Sequence, residues 1–233
     1  MICIPVVAAR QSEALQFIER GAKLADVLEL RMDLLSDGNV KELIEAARSF
    51  STRLKVLVTN RIMEASAPRD EKNRIGVLLD AVALDADFVD LELFTALPWI
   101  ETVRAAITAR HNRTALIISY HDFRKTPSRR TLNRYFEDSV AAGAQVVKIV
   151  TLAKTPADNL PVLNLIPYAR RRNMQIIAFC MGEQGKISRV AAPLLGSIFT
   201  FASLERGSES ASGQLSIGEM KQLLEMLGGK SES

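Results

Sequence analysis

The sequence predicts an α/β fold, specifically a (β/α)8 TIM barrel of eight parallel strands in a single domain. Three observations carry that expectation. Short apolar runs alternate with amphipathic segments from end to end, at a spacing of ~25–30 residues. The runs are mostly continuous rather than alternating, as strands covered on both faces of a parallel sheet are. The first run is followed by Val6-Val7-Ala8-Ala9-Arg10, which holds no glycine. The phosphate-gripping turn of an open dinucleotide-binding sheet is therefore missing, and no Walker-type phosphate loop occurs elsewhere.

Strands are expected at Ile2 to Ala8, Val27 to Arg31, Lys55 to Thr59, Phe88 to Leu93, Ala115 to Tyr120, Val146 to Thr151, Ile176 to Met181 and Ile198 to Ala202. Helices fill the intervals. Ser12 reads as the cap of a helix from Glu13 to Leu24 with Leu15, Ile18 and Ala22 on one stripe. Asn39 reads as the cap of Val40 to Phe50. Asp70 to Leu84 carries Ile75, Leu78, Leu79 and Val82. Pro98 to Arg110 has proline in its first turn, where no donor is lost. Ser128 to Ala142 can be closed by Gly143. In Pro156 to Arg172, Pro161 and Pro167 each remove a helical donor, so a late start or a kink is expected. Lys186 to Leu195 and Ser216 to Leu227 complete the set, with residues 229–233 as a flexible tail after a catalytic domain spanning 1–228.

Composition narrows the class of function. With 233 residues, 48% of them hydrophobic, the chain can bury one large core. Thirty basic residues against 27 acidic give a net charge of only +3. The basic runs Arg129-Arg130 and Arg170-Arg171-Arg172 are short and fall in helices, so a nucleic-acid partner is not expected. Cys3 and Cys180 lie in apolar runs and read as buried thiols of a reducing compartment. Two cysteines and two histidines at unrelated spacings make no metal pattern. The N-terminus lacks a charged, then apolar, leader, and no apolar run reaches ~18 residues, so a cytoplasmic protein without membrane spans is expected.

Barrel enzymes carry their sites at the C-terminal ends of the strands. Here those ends are rich in reactive groups: Glu29-Leu30-Arg31-Met32-Asp33, Thr59-Asn60-Arg61, Asp90 and Glu92, Ser119-Tyr120-His121-Asp122-Phe123, Lys148, and Cys180-Met181-Gly182. Glu29 and Arg31 alternate onto one face of their strand. Lys148 stands inside the apolar run Val146-Val147-Lys148-Ile149-Val150, and a lysine is almost never fully buried unless it is paired or working. Desolvation, with Arg31 and Arg61 nearby, would favour its neutral, nucleophilic amine. An imine formed there acidifies the adjacent carbon, and His121 is suited to take that proton. Glu64 is a candidate to orient the imidazole. Arg189 can clamp a carboxylate, and Ser210 and Gln214 can hold hydroxyls.

Taken together, these motifs resemble the type I 3-dehydroquinate dehydratases, over almost the whole chain. The residues that carry the resemblance are the strand-end motifs above, with Val147-Lys148-Ile149, Ser188-Arg189 and Ser210-Ala211-Ser212-Gly213-Gln214. The resemblance implies a (β/α)8 barrel, a homodimer, and no cofactor. It implies a Schiff-base lyase that converts 3-dehydroquinate to 3-dehydroshikimate and water in the shikimate pathway. Residue by residue, it implies Lys148 as imine-former, His121 as acid and base, and Glu29, Arg31, Arg61, Arg189, Ser210 and Gln214 as substrate contacts. Where many relatives have an acidic residue and two glycines after the third-strand arginine, this chain reads Arg61-Ile62-Met63-Glu64-Ala65-Ser66-Ala67. The chain also begins close to the first strand, so a hairpin closing the barrel bottom, present in some relatives, is not expected.

Plainer readings stand beside these. Lys148 can be a structural lysine paired with Glu29 or Glu92, Glu29 and Arg31 can form a barrel ion pair, and His121 can be a satisfied core histidine. At the level of function the alternatives are another Schiff-base lyase or aldolase on the same barrel, and a non-catalytic barrel that binds an anion.

Overall fold

A computed structural model describes residues 1–51, 53–62 and 71–228. Its strands are β1 (Ile2–Val6), β2 (Val27–Arg31), β3 (Lys55–Thr59), β4 (Phe88–Glu92), β5 (Ala115–Asp122), β6 (Val146–Leu152), β7 (Gln175–Met181) and β8 (Thr200–Phe201). All pairings are parallel, in the order β8-β1-β2-β3-β4-β5-β6-β7. The chain entering β8 returns to β7, where Ile198 N–H donates to Ile176 C=O at 3.0 Å and Ser197 Oγ to the same oxygen at 3.2 Å. The eight strands thus form a nearly closed barrel, and the helices wrap it.

Strand β8 is shorter than the apolar run from Ile198 to Ala202. Beyond Phe201 the chain leaves the sheet, and Ser203 bridges instead to Ser216. Val146, Val147, Ile149 and Val150 of β6 are all buried, as the continuous apolar pattern requires of a strand between barrel interior and helical coat.

The helices are α1 (Gln11–Gly21), α2 (Val40–Phe50), α3 (Glu71–Ala83), α4 (Leu97–Ala109), α5 (Arg129–Ala141), α6 (Asn159–Leu163), α7 (Leu165–Arg171), α8 (Lys186–Leu195) and α9 (Ile217–Leu227). Asn39 caps α2 through its side-chain oxygen, as expected. Ser12 does not cap α1. The helix begins two residues earlier, at Gln11, and the Glu13 carboxylate takes the free Ala9 and Arg10 N–H groups instead, at 3.1 and 3.3 Å. The proline-bearing segment breaks into a 3-10 turn at Pro156–Asp158 followed by two short helices, α6 and α7. Gly143 closes α5 at φ 91°, where an added Cβ would lie 2.4 Å from Arg104.

No helix among the described residues is long and apolar enough to cross a membrane. Cys3 and Cys180 are both free and buried. The tail 229–233 lies outside the described residues.

Candidate active site

The strands of a parallel barrel all point the same way, so the polar residues at their C-terminal ends converge on one rim. The rim encloses a cavity of about 450 Å³. Glu29 and Arg31 of β2, Arg61 after β3, His121 of β5, Lys148 of β6, Arg189 of α8, and Ser210 and Gln214 of the β8–α9 loop all line it. Phe179, Met181 and Phe201 supply apolar wall. Every site residue expected from the sequence therefore meets in one place, save Glu64, which lies outside the described residues.

Lys148 is 3% exposed, but its charge is matched. Its Nζ donates to Asp90 Oδ2 at 2.7 Å and lies 3.8 Å from Glu29 Oε1. It also stands 4.7 Å from the centre of the Phe201 ring. The sequence placed Arg31 and Arg61 beside this amine; the nearest charges are carboxylates instead. Arg61 reaches the same Asp90 oxygen at 3.3 Å, and Arg31 forks onto Asp33 at 2.9 and 2.6 Å. The suggested Glu29–Arg31 ion pair does not form. Glu29 accepts from Thr59 Oγ1 at 2.7 Å, while Arg31 is consumed by Asp33. Of the two structural partners suggested for Lys148, Glu29 is in reach, whereas Glu92 is held by Arg74.

Asp90 is the residue whose role the sequence left open. It is buried on β4, and Ser119 Oγ donates to its second oxygen at 2.5 Å. Burial by itself would raise its pKa, but Lys148 and Arg61 outweigh burial and hold the carboxyl well below the usual range. The available signal was strand alternation: Asp90 and Glu92 share the inward face of β4 as Glu29 and Arg31 share that of β2.

His121 sits two residues beyond Ser119, which is the β5 partner of Lys148. It is half-buried and stacks on Phe123, with 5.9 Å between ring centres. Burial, then the positive charges of Arg61 and Lys148, push its pKa well below 6.5 despite the opposing pull of Asp90. The imidazole is therefore neutral at neutral pH and free to accept a proton.

Arg189 presents the opposite problem. It is 1% exposed, its guanidinium lies 4.7 Å over the Phe179 ring, and it donates to Ser212 C=O at 3.2 Å. Its Nε has no hydrogen-bond partner, and among the described residues no carboxylate pairs with it. Burial draws its pKa down to about 10, so it remains a cation at neutral pH. A buried cation without a counter-ion is costly, and an anionic ligand in the cavity would complete it.

The β8–α9 loop is brought to the rim by a close backbone approach. Gly182 N–H donates to Ser212 C=O at 3.0 Å, and a Cβ on Gly213, at φ 78°, would lie 2.2 Å from Gly182 O. Only glycine fits there. Ser210 and Gln214 then bind each other, Nε2 to Oγ at 2.9 Å and Ser210 N–H to Oε1 at 2.8 Å. Among the described residues, no group of His, Cys, Asp and Glu side chains is arranged to hold a metal ion.

Comparison with known proteins agrees with this geometry. Residues 2–231 match the family described as type I 3-dehydroquinase. The 3-dehydroquinate dehydratase of Methanococcus maripaludis strain C5 is 35% identical over 228 residues, covering 97% of this chain and 100% of the relative. Among solved structures, 3-dehydroquinate dehydratase from Geobacillus kaustophilus superposes with a TM-score of 0.86 at 28% identity, covering 99% of this chain and 92% of that one. The type I enzyme from Clostridium difficile, crystallised with covalent modified comenic acid, superposes with a TM-score of 0.85 at 25% identity, covering 97% and 91%. A match across nearly the whole length, on a barrel whose rim gathers a buried lysine, a neutral histidine and an uncompensated arginine, has one reading: the chain belongs to the type I 3-dehydroquinase family.

Proposed function

We propose that the chain dehydrates 3-dehydroquinate to 3-dehydroshikimate through an imine on Lys148, the hydro-lyase activity of its family. The observation that carries this is the position of Lys148, an amine facing the cavity at the barrel rim and held in place by Asp90 and Glu29.

The C3 ketone of the substrate accepts the Lys148 amine after a proton passes to a neighbouring carboxylate. The carbinolamine loses water and becomes an iminium. That cation is the electron sink for the next step, so the chemistry is built from side chains alone. His121, neutral because it is buried among positive charges, takes the C2 proton and leaves an enamine. The enamine expels the C1 hydroxyl, and the proton held by His121 leaves with it as water. Water then hydrolyses the conjugated imine, releasing 3-dehydroshikimate and returning Lys148. The water lost on imine formation is regained on hydrolysis, and one molecule of water is the net by-product.

Arg189 anchors the substrate carboxylate, which supplies the missing counter-ion. Glu29, Arg31, Arg61, Ser210 and Gln214 face the hydroxyls and ketone from the remaining sides of the cavity. The loop from Glu205 to Gln214 covers the site once substrate is bound. The same reading extends to a homodimer working in the cytoplasm in the shikimate pathway; sedimentation would give twice the mass of the chain.

Borohydride added with 3-dehydroquinate is expected to leave a reduced adduct on Lys148, mapped by peptide mass. An adduct formed with a sugar phosphate but not with 3-dehydroquinate would point instead to an aldolase, and this reading would fall. Arg189→Met makes a second test with two opposite signs. Removing a buried, unpaired cation is expected to leave the free protein at least as stable in thermal unfolding. The same change should raise KM by roughly two orders of magnitude, because the substrate carboxylate loses its partner.

A further inference from the structure

One buried charge is not used by this mechanism. Arg74 lies on α3, outside the barrel, yet its side chain is 0% exposed. Its five N–H groups are all engaged. Nε and Nη2 fork onto Glu71 at 2.8 and 2.7 Å, and Nη2 also donates to Thr95 Oγ1 at 3.1 Å. Nη1 donates to Glu92 Oε2 at 2.7 Å and to Asn60 C=O at 3.2 Å. With no donor left over and no surface in the cavity, Arg74 does not contact substrate.

Its contacts nonetheless converge on Arg61. Asn60, the residue before Arg61, gives its carbonyl to Arg74 and returns a bond from its own Nδ2 to Arg74 C=O at 3.1 Å. Ile62, the residue after, donates its N–H at 3.0 Å to the other oxygen of the Glu92 that Arg74 holds. Both backbone neighbours of Arg61 are thus tied to one ion pair. Glu92 Oε1 also lies 3.8 Å from Arg61 Nε, an atom that is buried and has no hydrogen-bond partner. Glu92 is therefore poised to capture Arg61, and what occupies it is Arg74.

We propose that Arg74 is a positioning residue for Arg61: it fixes the backbone on either side and, by engaging Glu92, leaves the Arg61 guanidinium to Asp90 and the cavity. Without Arg74, Glu92 is an uncompensated carboxylate and Arg61 is the nearest cation. The guanidinium closes onto Glu92 and withdraws from the substrate side.

This inference rests on Arg61 being a substrate contact, and the test separates the two. Arg74→Met is expected to raise KM for 3-dehydroquinate roughly tenfold with a smaller fall in kcat, as loss of a binding contact does. Adding Glu92→Gln removes the competing charge and keeps an acceptor for Ile62 N–H, so the double variant should recover much of the KM. A KM unchanged in Arg74→Met, or one not lowered by Glu92→Gln, overturns the proposal, since a purely structural loss would not be relieved by a second loss of packing charge. Should Arg74→Met fail to fold, Arg74→Gln carries the same pair of measurements: it removes the charge that engages Glu92 but keeps a hydrogen-bond donor. Arg61→Met is measured alongside. If it leaves KM unchanged, the reading of Arg61 fails and the inference with it; if it raises KM while Arg74→Met does not, the role of Arg74 alone is overturned.

Discussion

Replacing Lys148 by alanine is expected to lower turnover of 3-dehydroquinate on the order of 10⁴-fold or more, because the residue supplies both the covalent bond and the electron sink. Substrate binding should persist more weakly, since Arg189, Ser210 and Gln214 remain. Stopped-flow absorbance of the conjugated product gives the first quantity and calorimetric titration the second. An anion-binding barrel would lose neither binding nor a product it never made, so retained binding with no change in product formation would sink the assignment.

The same substitution has a cost in stability. Lys148 lies within 3.8 Å of two buried carboxylates, and its loss leaves Asp90 with Arg61 and Ser119, and Glu29 with Thr59. Breaking a buried pair by removing one partner costs about 3–5 kcal/mol; the remaining contacts place the expected loss near the lower end. Its pH dependence follows from Asp90, whose carboxyl in the folded chain is held below its unfolded value. A group of that kind stabilises the fold above its unfolded pKa of about 3.9, and the contribution disappears as pH falls. The gap between wild type and Lys148→Ala, read by denaturant unfolding, should therefore be widest near neutral pH and narrow in acid.

His121→Ala is expected to reduce kcat by about 10²- to 10⁴-fold, the range of a positioned general base. Imine formation should survive, so borohydride would still trap substrate on Lys148 of this variant. An untrapped Lys148 would mean that His121 acts before the imine, not after it. Because burial and the neighbouring cations hold the His121 pKa well below 6.5, kcat/KM should stay flat as pH falls through 6.5 and drop only at lower pH. Arg61→Gln removes one of those cations and should move the acid limb upward. The stability sign is fixed by the same shift. The unfolded histidine takes a proton near pH 6.5 while the folded one does not, so this group favours the fold above that pH and its contribution falls as pH drops below it. An NMR midpoint for His121 at or above 6.5 in the free protein would contradict both.

Much of the site could be read from the chain because its positions follow from local rules. Parallel strands put their C-terminal ends at one rim, and alternation sends every second side chain inward. Glu29, Arg31, His121 and Lys148 occupy such positions, and those two rules bring them to one cavity without reference to any distant contact. Helix caps were less secure. Asn39 acts where its residue type suggested, but α1 is started by Glu13 reaching back rather than by Ser12. Both choices satisfy the same free donors, and the sequence does not rank them.

What the sequence determined by itself is the barrel, the rim and the strand residues that share it, since each depends on periods of two or about 3.6 along a short stretch. The tertiary structure decided who is paired with whom. Asp90 meets Lys148 across 58 residues of chain, Arg31 turns to Asp33 and not Glu29, and Arg189 finds no acid among the described residues. Arg74 shows the same limit from outside the barrel, reading as an ordinary polar helix residue until α3 packs over the ends of β3 and β4 and buries it against Glu92. The reason is physical. Ion pairing depends on separations of a few ångströms between the tips of long side chains, and those are set only when every strand and helix is in register with its neighbours.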